Sequence, residues 1–394
     1  MYKYPLQKDN FSFYDRLKAC KFILNKNNRL TSGPKVAELE KKWEEIVGES
    51  KVKCVATSSG STANHLLIET FLQTYNIEPR EVVVFIPATT WASSVTPWIF
   101  RGCEIVFVDI NLTDFSFDYE KLEEELKNKN AEHKVKVIWP TALIGFVPDI
   151  QKLKELKTKH NAFLFADLCE TTLGFYETEN ILGCFDMATT SFFWAHEFTG
   201  IELGMLFIKN NLRYSTPLIE NAQMIRSHGM TRVLPIKSET KSRAERLNPK
   251  VDPEFLFEKL GTNYRATDLN AFFCLLDTER YHDYIHFRTT LWDHLLENLP
   301  SRYLQLERNI IPFCLPFIKS PENLETIKDI KRRLNHNGWE TRPIICSLPM
   351  NPAFKKYAKG QIFPNSRFLN DNGFYVGLNK DLKIVDIEKL LHLI

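Results

Sequence analysis

The chain has no closely spaced cysteines, no long apolar run and almost no net charge, and each absence removes a class of protein. Its eight cysteines, Cys20, Cys54, Cys103, Cys169, Cys184, Cys274, Cys314 and Cys346, include no Cys-x-Cys or Cys-x-x-Cys pair. Zinc sites and iron–sulfur clusters use that spacing, so no metal is expected. No apolar stretch approaches the roughly 20 residues that span a bilayer, so no membrane partner is expected. Lysine and arginine total 51 against 49 acidic residues, a net charge of +2. Without a basic tract, nucleic acid is not an expected partner either. The first residues, Met1-Tyr-Lys-Tyr-Pro5, hold no signal-peptide core. Reduced thiols in a cytoplasm are the simplest expectation. Neither an internal repeat nor a low-complexity segment stands out.

What is present is ordinary globular composition. With 394 residues, 44% hydrophobic and 25% charged, the chain can build one large domain and a smaller one. Helical spacing is expected over residues 14–24 and 36–47. Short apolar strands follow at 52–56, 82–86, 104–108, 135–139, 162–166 and 205–208, with helices expected at 63–74, 93–100, 119–127 and 150–159 between them. Strands alternating with helices predict an α/β fold with a mostly parallel central sheet flanked by helices. Residues 1–260 are read as the large domain, within which the polar stretch 232–252 is an excursion or lid. Residues 261–394 are read as a smaller C-terminal α+β domain.

In such sheets ligands gather at the carboxyl ends of the strands, and Gly60, Trp91, Asp167 and His196 all fall in loops at such ends. Thr57-Ser-Ser-Gly-Ser-Thr-Ala-Asn64 runs from a strand into a helix. Its free N–H groups and the positive helix end suit a phosphate. Trp91 can stack on an aromatic ring, Asp167 can hold a pyridine nitrogen protonated, and His196 can move a proton near neutral pH. Singly, each has a plainer reading. The loop can be an N-cap formed by Ser61 or Thr62, Trp91 a core residue, Asp167 a helix cap and His196 a structural histidine. Together, in chain order, they meet the needs of pyridoxal phosphate.

Those residues, with Gly33, Asp109, Asp167-Leu-Cys-Glu170, Ser191 to Gly204, Arg226-Ser-His-Gly-Met-Thr-Arg232, Asn263-Tyr-Arg265 and Gly373-Phe-Tyr-Val-Gly377, make a pattern nearly the length of the chain. It resembles the DegT/DnrJ/EryC1 family of pyridoxal phosphate enzymes acting on sugar nucleotides. The resemblance implies the fold-type-I architecture of pyridoxal phosphate-dependent aminotransferases. Most members place a cofactor-binding lysine where this chain has His196. That histidine is similar to the branch that removes the 3-hydroxyl from GDP-4-keto-6-deoxy-D-mannose on the route to colitose. The other histidine branch uses an iron–sulfur cluster on closely spaced cysteines, which are absent here.

The resemblance implies that Gly60, Ser61 and Ser191 bind the cofactor phosphate, Trp91 covers its ring, Asp167 holds the ring nitrogen and Glu170 lies beside it. Asn263 would reach the cofactor of a neighbouring subunit in a homodimer, and His228 and Arg232 would contact substrate. It also implies pyridoxal 5'-phosphate and pyridoxamine 5'-phosphate as cofactor forms, a nucleotide sugar and L-glutamate as reactants, and His196 as the proton carrier. Leu203, where the family has glycine, is expected to add bulk near the site. Two other readings are open: a sugar aminotransferase, with Lys209 the nearest downstream lysine, and a silent sugar-nucleotide binding protein.

Overall fold

The computed structural model describes residues 2–129, 135–212 and 215–394. Helices α1 (Phe13–Leu24) and α2 (Pro34–Val47) come first. α2 starts on Pro34, whose missing N–H costs nothing in a first turn, and buries Val36, Leu39, Trp43 and Val47 on one face. β1 (Val52–Thr57) runs straight into α3 (Gly60–Tyr75). That helix begins three residues before its expected start. Ser59 and Thr62 form a reciprocal capping box, so the cap is Ser59 rather than Ser61 or Thr62, and Gly60 and Ser61 lie in the first turn.

The alternation continues with β2 (Val82–Pro87), α4 (Ala92–Arg101), β3 (Glu104–Val108), α5 (Tyr119–Asn128), β4 (Val135–Ile138), α6 (Ile150–His160) and β5 (Phe163–Asp167). A two-residue hairpin, β6 (Phe175–Tyr176) and β7 (Glu179–Asn180), precedes β8 (Met187–Ser191) and β9 (Gly204–Lys209). The main sheet has the order β1-β9-β8-β5-β4-β2-β3. Its strands run parallel except β9, which is antiparallel to both neighbours. The carboxyl ends of β1, β2, β5 and β8 therefore share one edge with the start of β9. Side chains alternate between two cores: along β2, Val83 and Phe85 enter one, and Val82, Val84 and Ile86 the other, the two-residue period of a sheet buried on both faces.

Helices α7 (Ser215–Arg226), α8 (Glu239–Leu247) and α9 (Asp268–Thr278) follow. α8 lies inside the expected polar excursion. Ala266, Ala271 and Cys274 still pack in the first core, as do Tyr281 and Tyr284 at the start of α10 (Tyr281–Glu297). Leu291, Trp292 and Leu295 of the same helix enter a different core. That core is completed by α11 (Ile327–His336), α12 (Pro364–Asn372), α13 (Ile384–Leu393) and an antiparallel sheet, β10 (Leu315–Ile318), β12 (Gly373–Val376) and β11 (Thr341–Pro343). The two units are tied together. The buried Asp109 carboxylate accepts from the amides of Asn365 and Ser366 at the start of α12, at 3.1 and 3.0 Å. Among the described residues, no helix is long and apolar enough to cross a membrane.

Candidate active site

Asp167 ends β5, buried beneath the carboxyl edge of the sheet. Its Oδ2 accepts from Asn64 Nδ2 of α3 at 2.8 Å and from Ser94 Oγ of α4 at 2.6 Å. Its Oδ1 accepts from the Cys169 amide at 3.1 Å. Thr189 Oγ1 of β8 donates to Asn64 Oδ1 at 2.5 Å. Two helices and two strands thus fix one carboxylate, and Oδ1 keeps a lone pair for a further donor.

Gly60 lies against the end of β8. A Cβ there would meet Ser191 Cβ at 2.7 Å and Cys169 Sγ at 2.9 Å. The Gly60 and Ser61 amides open α3, where no intrahelical carbonyl can serve them. Gly204 has the same function from the other side, since a Cβ would come within 2.2 Å of the Ser59 carbonyl oxygen. Leu203 does not add bulk at the site as expected. It is fully buried in the core beside the sheet, because residue 204 makes the close approach. Gly60→Ala should lower stability by about 1–3 kcal/mol through overpacking and weaken anion binding at the helix start. Thermal melting and phosphate titration check both, and unchanged phosphate affinity would remove the loop from that role.

His196 sits in the 192–203 loop between β8 and β9. Trp43 supports the loop from below, 5.1 Å from the Phe192 ring and 5.3 Å from Phe198. From above, α9 holds it: Asn270 Nδ2 donates to the Gly200 carbonyl at 2.7 Å, and Asp277 accepts from the Thr199 amide at 2.9 Å. The imidazole Nδ1 is 2.6 Å from the Cys169 carbonyl oxygen. A carbonyl only accepts, so Nδ1 carries the proton and Nε2 is left as the free base. Phe313, from the segment before β10, lies edge-on 5.3 Å from the ring.

Burial pushes the His196 pKa down to about 4, against smaller upward pulls from the Cys169 carbonyl and Asp167. The ring is therefore neutral at physiological pH. As pH falls from 6.5 through about 4, protonation of the unfolded chain costs native stability. Glu170 accepts from the Ile144 amide at 3.1 Å. Burial, reinforced by Asp167 and Glu197, raises it to about 7. Its contribution to stability is complete below 4.5 and lost as pH rises through about 7.

Gly60, Asp167, Glu170, Ser191 and His196 come together. Ser61 lies beside Gly60 in the same first turn. Trp91, 59% exposed, precedes the first turn of α4 that delivers Ser94. Among the described residues, no hydrogen bond or ion pair joins Asn263, His228 or Arg232 to this cluster. Asn263 is exposed, and its Oδ1 accepts from the Arg265 amide at 3.2 Å. Its neighbour Tyr264 takes the Ser58 amide at 2.9 Å. His228, at φ +64°, lines a separate cavity of about 390 Å³ with Glu69, Lys259 and Tyr264. Arg232 pairs with Glu254 at 3.1 Å. Sequence reasoning missed Ser94, Thr189, Glu197 and Phe313. Of the side-chain donors to Asp167, only Asn64 lay in a motif already singled out.

The sheet order, the single antiparallel strand and the buried carboxylate below a strand–loop–helix turn define a large α/β fold shared with known structures. A crystal structure of a GDP-4-keto-6-deoxymannose 3-dehydratase with a trapped PLP–glutamate geminal diamine superposes with a TM-score of 0.86 at 22% identity, covering 99% of this chain and 100% of that one. A structure of the E. coli GDP-4-keto-6-deoxy-D-mannose 3-dehydratase with bound hydrated PLP gives 0.84 at 24% identity, covering 100% and 99%. Residues 14–394 match the DegT/DnrJ/EryC1/StrS aminotransferase family, and the chain belongs to it. Among curated relatives, the GDP-4-keto-6-deoxy-D-mannose 3-dehydratase of Escherichia coli is 26% identical, over 98% of this chain and 97% of its own length. That of Yersinia pseudotuberculosis is 25% identical over 96% and 94%. A GDP-perosamine synthase of Caulobacter vibrioides is 24% identical over 82% and 79%.

Proposed function

We propose that this chain is a pyridoxal/pyridoxamine 5'-phosphate-dependent 3-dehydratase of a nucleotide-linked 4-keto-6-deoxy sugar, with GDP-4-keto-6-deoxy-D-mannose as substrate and L-glutamate as amine donor. The product is the 3,6-dideoxy-4-keto sugar. The observation that carries the reading is His196, a free base where most family members keep a lysine, in a site otherwise built to hold the cofactor.

The residues fit that cofactor. Gly60 leaves the room a Cβ would fill, the Gly60 and Ser61 amides and the Ser191 hydroxyl suit its phosphate, and Asp167 Oδ1 has a lone pair for its ring nitrogen. When bound, the cofactor supplies an electron sink conjugated to the sugar carbon beside the leaving group. The protein's own part is to hold and move one proton. His196 Nε2, with Nδ1 tied to Cys169, is the base that would take it from the carbon at cofactor position 4′ and return it to the departing C3 oxygen. Imidazole forms no covalent bond to the cofactor, so orientation rests on the phosphate, ring-nitrogen and Trp91 contacts. Glu170, held at the Ile144 amide, faces the same space. His228 and Arg232 are the proposed contacts to the nucleotide sugar, although neither joins the cluster around His196 within this chain. Borohydride treatment of the loaded wild type should leave the chain mass unchanged, whereas His196→Lys should gain the mass of the reduced cofactor. A covalent adduct in wild type would overturn this reading.

The working form is a cytoplasmic homodimer in which exposed Asn263 completes the cofactor site of the other subunit. Mixing Asn263→Ala and His196→Asn chains should restore part of the activity through hybrid dimers. Mixtures that exchange subunits yet never exceed either parent would refute sharing. We also place the division between two domains inside α10 rather than at residue 260, since residues 266–284 pack with the large unit.

A further inference from the structure

Glu197 is a buried acid to which the proposed reaction gives no task. It is 1% exposed and follows His196 directly. Its Oε2 accepts from the amides of Thr172 and Leu173, at 2.7 and 3.3 Å. Its Oε1 has no hydrogen-bond partner among the described residues. The two amides lie in the turn 171–174, closed by the Gly174 amide on the Thr171 carbonyl at 3.0 Å, which follows directly on the turn that begins at Leu168, whose amide donates to the Thr189 carbonyl at 2.9 Å. Thr171 N closes that turn on the Leu168 carbonyl at 3.1 Å. Cys169, whose carbonyl accepts the hydrogen bond from His196 Nδ1, is inside it. The loop carrying His196 is thus fastened to these two consecutive turns by two consecutive residues, His196 to the first and Glu197 to the second.

Arg288 braces the opposite side. Also buried, it donates Nη1 to the carbonyls of Pro312 and Phe313, both at 2.8 Å, and so fixes the ring that stands edge-on to His196. Burial raises the Glu197 carboxyl to about 7, while Arg288 pulls the other way. A group costly to bury as a charge stays where it binds two buried amides.

We infer that Glu197 is a positioning residue for His196: by clamping the Thr172 and Leu173 amides it holds the Cys169 carbonyl at Nδ1, and so keeps Nε2 the free base. The inference rests on the proposed role of His196, but the imidazole tautomer can be read without substrate or cofactor. Glu197→Leu removes the acceptor. Glu197→Gln keeps an oxygen for both amides but cannot carry the negative charge that the Arg288 cation attracts, so its melting temperature should fall.

Nitrogen NMR of histidine-labelled protein should show the Nδ1–H tautomer at His196 in wild type and Glu197→Gln, and a mixture in Glu197→Leu. Turnover should fall about 10-fold or more in the leucine variant, a misplacement effect, with KM for the ketosugar little changed. The glutamine variant should keep most of its turnover despite its lower melting temperature. Should the leucine variant not fold, Glu197→Asp, whose carboxylate is one methylene short of the amides, must show the same mixed tautomer. A pure Nδ1–H form in the leucine or aspartate variant would overturn the inference, as would equal losses in the leucine and glutamine variants. If the tautomer moves as expected while no ketosugar is dehydrated by wild type, the assigned reaction fails and the positioning stands.

Discussion

His196→Asn should reduce dehydration by roughly 10²–10⁴-fold, the contribution of a positioned general acid–base, while leaving cofactor and ketosugar binding near wild type. Asparagine has similar reach, and its Nδ2 can still donate to the Cys169 carbonyl that now receives Nδ1 at 2.6 Å. It has no second ring nitrogen, so nothing takes the place of Nε2. The half-buried position needs no large repacking, and Phe313 loses only an edge contact at 5.3 Å. Because burial lowers the His196 pKa to about 4, wild-type turnover should be flat on its acid side until pH approaches that value. The variant should show no such limb. Product formation over a pH series, with binding followed by cofactor fluorescence, separates the two effects. An asparagine variant that dehydrates at the wild-type rate would take His196 out of the chemistry.

Asp167→Asn should be nearly as damaging, for a different reason. The amide oxygen can occupy the Oδ2 position and keep both the Asn64 and Ser94 donors. Its NH2 then faces the Cys169 amide in place of Oδ1, donor against donor. More important, the negative charge is lost. Breaking a buried charged pair costs roughly 3–5 kcal/mol, which is about 10²-fold to several thousand-fold in affinity for a cofactor with a protonated ring nitrogen. Since no lysine holds the cofactor covalently, that loss should appear directly in equilibrium titration with pyridoxamine phosphate. Unchanged affinity would show that Asp167 caps structure and does not touch the ring.

The sheet was readable because its strands are short apolar runs with loops at their carboxyl ends, and Gly60, Asp167 and His196 fell at those ends. The direction of β9 was not readable. A run such as Met205-Leu-Phe-Ile208 is equally apolar whichever way it pairs, and only the antiparallel partners β1 and β8 settle it. The start of α3 was misplaced because helical spacing begins at Ala63, whereas the capping box lies upstream at Ser59 and Thr62. Ser94 and Thr189 reach the Asp167 network from elements far apart in sequence, and no spacing rule predicts such meetings. Glu197 was hidden by its position, since an acid beside a candidate histidine reads as solvent-facing until its carboxylate is seen to accept two buried amides.

One difference of kind decides the proposed chemistry: a histidine, unable to hold the cofactor covalently, in the place of a lysine that can. Its most direct test is the mass of the sugar formed when the wild-type protein, loaded with cofactor, is given GDP-4-keto-6-deoxy-D-mannose and glutamate. A sugar nucleotide that has lost the C3 oxygen and carries no nitrogen, formed together with ammonia and 2-oxoglutarate, is the predicted result. A stable 4-amino sugar that keeps its C3 hydroxyl would contradict it and make the protein an aminotransferase.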